Sequence, residues 1–174
     1  AAHLSVNVSA LQLSEPEFAE RVLAAVSRHG LDPAQLELEI TETAVLEQEQ
    51  LAIANLERLR SAGIGASLDD FGKGYAGFAH LNALPVNKLK IDRSLIAEIS
   101  NSHDDSFIVS STITLAKRLA LEVVAEGVET AEQLVYLRLA GCDQVQGYHF
   151  SRPLQAEQIA EFERRFRSRT RLTA

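Results

Sequence analysis

The chain has 174 residues, 46% of them hydrophobic and 24% charged, enough for one domain with a real core and ordinary for a soluble globular protein. A net charge of -7 argues against a nucleic-acid-binding surface, though a metal could still bring a nucleotide to it. Cys142 is the single cysteine, which excludes an internal disulfide framework, and no apolar run approaches the roughly 20 residues of a membrane span.

His3 to Ser9 reads as a strand. Ser14 then caps a helix that carries Pro16 in its first turn and Glu17 at the capping-box position, with Phe18, Val22, Leu23 and Val26 on one face and a stop at Gly30. Gln35 to Thr41 is a strand, and Gln48 to Ser61 a helix closed by Gly63. Ile64 to Asp70 is a strand that runs into a glycine-rich loop and a short helix ending near Leu84. Asn87 to Asp92 is the next strand, followed by a short helical piece and a helix over Asp105 to Leu119. Leu121 to Glu126 is a strand, and Thr130 to Ala140 a helix with Thr130 as its N-cap. Asp143 to Phe150 is the last strand, and Leu154 to Arg167 the last helix. Arg164, Arg165, Arg167, Arg169 and Arg171 at its end read as a solvated, cationic helix terminus.

Six β-then-α units predict a parallel sheet covered by helices, and one domain over 1–174. An open doubly wound sheet and a (β/α) barrel both satisfy that order. The polar residues separate them. Asn7, Glu39, Asp69 with Asp70, Lys90 with Asp92, Glu126 and Gln146 each fall at or near the C-terminal end of a strand. Alternation puts Glu37 and Glu39 opposite Leu36, Leu38 and Ile40, and Lys88, Lys90 and Asp92 opposite Leu89 and Ile91. With the apolar faces on the helices, the polar set lines the inside of the C-terminal rim, where a barrel assembles its site from several strands.

Taken singly, an acidic residue at a strand end is a turn former or a cap. Acidic groups, an amide and a lysine on one rim require a counter-ion, and hard oxygen donors suit Mg²⁺ or Mn²⁺. Two ions roughly 3.5–4 Å apart need a bridging carboxylate, a place that Asp69 can fill while Asp70 holds the second ion.

Two motifs in this stretch mislead. Gly72-Lys73-Gly74-Tyr75-Ala76-Gly77 matches G-x-G-x-x-G, but a pyrophosphate there would meet Asp69 and Asp70, and the match is mid-chain. Asp70-Phe71-Gly72 imitates the kinase metal motif without a preceding H-R-D loop. The five histidines show no ligand spacing, and there is no G-x-S-x-G elbow.

The segments "SVNVSA", "LELEITET", "LDDFGKGY", "LKIDRS", "VVAEGVET" and "QGYHFSRPL" resemble, in order and spacing, the EAL-domain phosphodiesterases. The resemblance covers nearly the whole chain. It implies a TIM-like (β/α) barrel, of which six of about eight βα units are present here, the C-terminal three quarters of the domain. It also implies hydrolysis of the bacterial second messenger cyclic di-GMP to linear pGpG with two Mg²⁺ or Mn²⁺ ions. Asn7 and Glu39 are then ligands of the first metal, Asp69 bridges both, Asp70 serves the second, and Glu126 acts on the second metal directly or through water. Lys90 orients or deprotonates the attacking water, a role Glu126 can share, and Gln146 contacts the water or the phosphate. Glu42 and Glu129 brace the loop after Asp70, and Asp92 supports the lysine region.

Two departures accompany the resemblance. The sequence has no Glu-Ala-Leu motif, whose glutamate is a further ligand of the first metal, and it begins at Ala1 already reading as a strand. A fragment of a longer protein is therefore expected, with an upstream regulatory or GGDEF-type domain and residues 1–174 inactive alone. The loop after Asp70 carries Lys73 and Gly77 where the family usually has Gly-Thr-Gly-Tyr-Ser-Ser. The resemblance further implies a cytoplasmic domain and leaves room for a homodimer. A catalytically silent cyclic di-GMP receptor or protein-interaction domain is the competing reading.

Overall fold

The computed structural model describes residues 3–41, 49–73, 81, 84–100 and 103–170. The strands are β1 (Leu4–Val8), β2 (Leu36–Thr41), β3 (Gly65–Phe71), β4 (Lys88–Ile91), β5 (Glu122–Ala125) and β6 (Gln144–Val145). The helices are α1 (Ala10–Leu13), α2 (Phe18–His29), α3 (Glu49–Ser61), α4 (Arg93–Ala97), α5 (His103–Arg118), α6 (Ala131–Leu139) and α7 (Ala156–Thr170). Every neighbouring pair of strands is parallel, and the sheet order is β1-β2-β3-β4-β5-β6.

That order decides between the two architectures. A doubly wound sheet reverses its strand order at a switch point. Here the order runs in one direction from β1 to β6, as in a TIM-like barrel wall. One face of the sheet packs on helices. Leu38, Ile40, Ala66, Leu68, Leu89, Ile91, Val123 and Ala125 are buried on it with Leu56 and Leu59 of α3 and Val109 and Ile113 of α5. The other face carries Glu37, Glu39, Ser67, Lys88 and Lys90, as the period of two predicts.

Two elements differ from expectation. Ser14 does not cap the first helix. Ser9 caps α1, accepting from the Gln12 N–H while the Gln12 side chain accepts from the Ser9 N–H, so Ser-x-x-Gln is the capping box. Ser14 follows that short helix, and its hydroxyl donates to the Ala10 carbonyl at 2.8 Å. The chain then turns into α2, with the buried Asn55 of α3 donating to the carbonyls of Leu13 and Glu15 at 2.8 and 2.9 Å. Tertiary hydrogen bonds hold that corner instead of a side-chain cap. The expected last strand is also shorter. It pairs only at Gln144 and Val145, because the Gln146 carbonyl accepts from the Val128 N–H and the chain turns at Gly147.

The other boundaries agree with the sequence reading, including the Thr130 cap of α6, which Gln133 completes as a capping box. The expected short helix before Leu84 lies largely outside the described residues. Among the described residues no helix is long and apolar enough to cross a membrane.

Candidate active site

The register of β3 against β4 holds the key to the adjacent aspartates. Leu68 pairs with Leu89, but Phe71 pairs with Ile91, so β3 has one residue more than β4 across that interval. The extra residue is a β-bulge, and Asp70 in it takes a left-handed φ of 59°. Aspartate tolerates this conformation better than most residues. Asp69 and Asp70, within the bulge, have no register partner on β4. Asp69 stays on the inner face, where its Oδ1 accepts from the Asp70 N–H at 2.9 Å and from Lys90 Nζ at 3.1 Å.

Lys90 is the centre of this cluster. Its Nζ lies 2.9 Å from Glu39 Oε2 and 2.8 Å from Glu126 Oε1, besides Asp69. Its side chain is only 7% exposed. Two strands, β2 and β3, and the end of a third, β5, thus deliver three carboxylates to one ammonium on β4. A second tier lies beneath, towards the N-terminal ends of the strands. Lys88 Nζ pairs with Glu37 at 2.5 Å and with Glu122 at 3.7 Å, and Gln144 donates to Glu122 at 2.5 Å. Sequence reading placed Glu37 and Lys88 on the polar face but missed this tier as a unit. The signal was available in the matched pairs Glu37/Glu39 and Lys88/Lys90.

The electrostatics of the upper tier are unbalanced. Burial works against the charge on Lys90, but hydrogen bonds to Glu126, Glu39 and Asp69 more than offset it and raise its pKa. Burial raises the pKa of Glu126, Lys90 opposes that, and the charges of Asp69 and Glu39 add to the rise. One ammonium does not neutralise three carboxylates, so the cluster retains an excess of negative charge.

The rim loops interlock around it. Gly127 has φ 71°, and a Cβ there would lie 2.4 Å from Arg93 Cβ at the start of α4. A Cβ on Gly147 would lie 2.2 and 2.3 Å from the backbone O and N of Val128. The Val128 N–H donates to the Gln146 carbonyl at 3.0 Å, and the His149 N–H donates to the Val128 carbonyl at 2.9 Å. The segments carrying Glu126 and Gln146 are therefore fixed to each other through backbone.

The remaining predicted residues fall as follows. Asn7 is exposed at the sheet edge, paired in register with Glu39. Asp70 pairs with Lys73 Nζ at 2.6 Å. Asp92 is buried, caps α4 by accepting from the Ser94 N–H at 2.9 Å, and pairs with Lys73 at 2.9 Å, not with Lys90. Gln146 and Glu129 are exposed on the loops after β6 and β5, and no contact joins their side chains to the Lys90 cluster among the described residues. Glu42 and Gly77 lie outside the described residues.

The donor set fits a divalent cation in kind: carboxylate and amide oxygens on one rim, with net negative charge. Among the described residues no three carboxylate, imidazole or thiol groups close on one point as metal ligands. The ammonium groups of Lys90 and Lys73 stand between them instead. Ser67, opposite Glu39 in register, is fully buried with its hydroxyl unpartnered, which marks polar space in this wall.

Residues 1–153 match the EAL domain family. The chain is 44% identical over 164 residues to the cyclic di-GMP phosphodiesterase NbdA of Pseudomonas aeruginosa, covering 94% of this chain and 21% of that protein. It is 41% identical over 157 residues to the bifunctional diguanylate cyclase/cyclic di-GMP phosphodiesterase MucR of the same organism, covering 90% and 23%. The solved structure of the MucR phosphodiesterase in complex with c-di-GMP matches with a TM-score of 0.84 at 41% identity, over 90% of this chain and 64% of that one. BlrP1 of Klebsiella pneumoniae in its manganese/c-di-GMP complex matches with a TM-score of 0.80 at 34% identity, over 87% and 39%. The chain spans less than a quarter of the length of these curated relatives.

Proposed function

The chain belongs to the EAL domain family, and from that premise we propose that its domain hydrolyses cyclic di-GMP to linear pGpG with two divalent cations, Mg²⁺ or Mn²⁺. The observation that carries this reading is the convergence of Glu39, Asp69 and Glu126 on Lys90 at the C-terminal rim, with charge left over for cations. The phosphodiesterase names of NbdA and MucR, and the manganese in the BlrP1 complex, support the reaction class and the cofactor class.

In this reading Asn7, Glu39 and Asp69 would hold the first ion, and Asp69, shared between the two, would hold the second with Asp70 in the bulge. Divalent ions bound there would supply a water of lowered pKa and positive charge for the phosphoryl group. Lys90 orients that water as a cation. Its raised pKa keeps it an ammonium, which has no lone pair to take a proton, whereas the carboxylate of Glu126, whose pKa is also raised, is better placed to accept it. Gln146, on the adjoining loop, contacts water or phosphate. Glu129 and Glu42 brace the loop after Asp70, and Asp92 fixes that loop through Lys73. An upstream regulatory or GGDEF-type domain, a homodimer and a cytoplasmic setting complete the proposal for the whole protein.

The test is linear-product formation from cyclic di-GMP by the intact domain within its longer protein, in Mn²⁺ and in Mg²⁺, with and without chelator. Metal-dependent pGpG release supports the reading. Tight nucleotide binding with no product in either metal would replace it with the receptor reading.

A further inference from the structure

Lys73 has two partners of very different character. Its Nζ lies 2.6 Å from Asp70 Oδ1 and 2.9 Å from Asp92 Oδ2. Asp70 is exposed at the rim, with 42% of its side chain accessible, while Asp92 is 3% accessible. The other oxygen of Asp92 is already taken, accepting from the Ser94 N–H at 2.9 Å and the Ser94 hydroxyl at 2.6 Å. Oδ2 faces Lys73. A buried carboxylate needs such a partner, so Asp92 anchors the ammonium firmly. The turn that brings Lys73 into place starts at the bulge itself, where the Lys73 N–H donates to the Asp70 carbonyl at 3.3 Å.

We propose that Lys73 is a built-in counter-ion at the outer cation position, competing with a divalent ion for Asp70 and keeping a retained contact on Asp92. The inference rests on reading Asp70 as a cation ligand and adds what sets affinity there. One oxygen of the Asp70 carboxylate, Oδ1, already faces an internal cation before any metal arrives. A divalent ion that takes Asp70 must displace the ammonium from it. Because Asp92 holds the same ammonium, the positive charge does not leave with the displaced contact, and it still opposes the incoming ion. Lys73 therefore weakens the outer position in both states. It also ties cation occupancy to the turn at Lys73, since loss of the Asp70 contact leaves the ammonium on Asp92.

The side chain of Lys73 is half exposed, so its replacement leaves the core intact. The experiment titrates Mn²⁺ into the metal-stripped protein and counts bound ions by electron paramagnetic resonance, for the wild type and for Lys73→Met, Lys73→Arg and Asp70→Asn. Lys73→Met is expected to tighten the weaker of two Mn²⁺ sites by about fivefold or more, the effect of removing one nearby unit charge at a screened rim. Lys73→Arg, which keeps the charge, is expected to stay near wild type. Asp70→Asn is expected to lose the weaker site. If Lys73→Met binds Mn²⁺ no more tightly while Asp70→Asn still loses the site, the counter-ion role is overturned and the ligand assignment of Asp70 stands. If Asp70→Asn leaves Mn²⁺ binding unchanged, the ligand assignment falls, and the competition with it. Amine-reactive labelling gives a readout independent of affinity. Mg²⁺ is expected to raise the labelling rate of Lys73 in the wild type but not in Asp70→Asn, and an unchanged rate in the wild type would contradict displacement.

Discussion

The ammonium of Lys90 lies 2.8 Å from a carboxylate oxygen of Glu126, and both groups hold their protons more tightly than free side chains do. Burial is the main cause of the rise at Glu126, whereas at Lys90 burial acts the other way and hydrogen bonds to the carboxylates prevail. Glu39 and Asp69 crowd the same space with negative charge, which favours Lys90 charged and Glu126 protonated. Any added cation relieves Glu126 and loosens Lys90, so the pair is set to respond to metal.

Lys90→Ala removes the cation from the centre of the cluster. If Lys90 acts on the water in the transition state, kcat falls by about 10²–10⁴ while KM for cyclic di-GMP is nearly unchanged. Steady-state kinetics in saturating Mn²⁺ separates the two constants. A raised KM with normal kcat would assign Lys90 to holding phosphate in the ground state.

Asp69→Asn keeps the shape of the bulge residue and removes its charge. Turnover is expected to fall by orders of magnitude in saturating Mg²⁺, with the circular dichroism spectrum and melting temperature close to wild type. The fold should survive because the outer face, with Leu68, Leu89 and Ile91 buried against the helices, is untouched. Near-normal turnover would remove Asp69 from the bridging position.

How far the sequence revealed this arrangement depends on the kind of contact. Alternation in "LELEIT" and "NKLKID" is a property of each strand alone, so it placed Glu39 and Lys90 on one face without knowledge of their neighbours. The choice of a barrel wall over a doubly wound sheet came from the same pattern, and the strand order agrees. The bulge at Asp69-Asp70 was not legible, because it exists only as a mismatch between β3 and β4. Nor was the Ser9 cap preferred over Ser14, since both serines have a capping-box partner three residues on, and the corner held by Asn55 from α3 decided between them. The pairing of Asp92 with Lys73 instead of Lys90 likewise depends on where a loop returns in space.

Gly147→Ala tests the interlocked rim. The added Cβ would overlap the backbone of Val128, which cannot rotate away as a side chain would. The expected cost is about 2–4 kcal/mol, from strain and from weakening the two hydrogen bonds that join the loops. Urea unfolding measures it. The displaced Val128 segment carries Glu126 with it, so activity is expected to fall at temperatures where the variant is still folded. A stable variant with full activity would show that the two loops are not mutually fixed.

Asp92 offers a prediction in acid. Burial alone would raise its pKa, but hydrogen bonds from Ser94 and from Lys73 prevail and lower it from 3.8 to about 2. Between those values the unfolded chain binds a proton that the folded chain refuses, so stability rises with pH there. The contribution is complete above the unfolded value and disappears as pH falls through about 2. Its size is about 1–2 kcal/mol once allowance is made for the half-exposed Lys73. Asp92→Asn keeps a good N-cap for α4 but cannot titrate. The gap in unfolding free energy between wild type and Asp92→Asn is therefore expected to be flat above about pH 5 and to shrink by about 1–2 kcal/mol on acidification towards pH 2. Urea titrations at several pH values would reveal it. A gap that stays constant over the whole range would mean that Asp92 keeps an ordinary pKa, and that the Lys73 contact is too weak to matter.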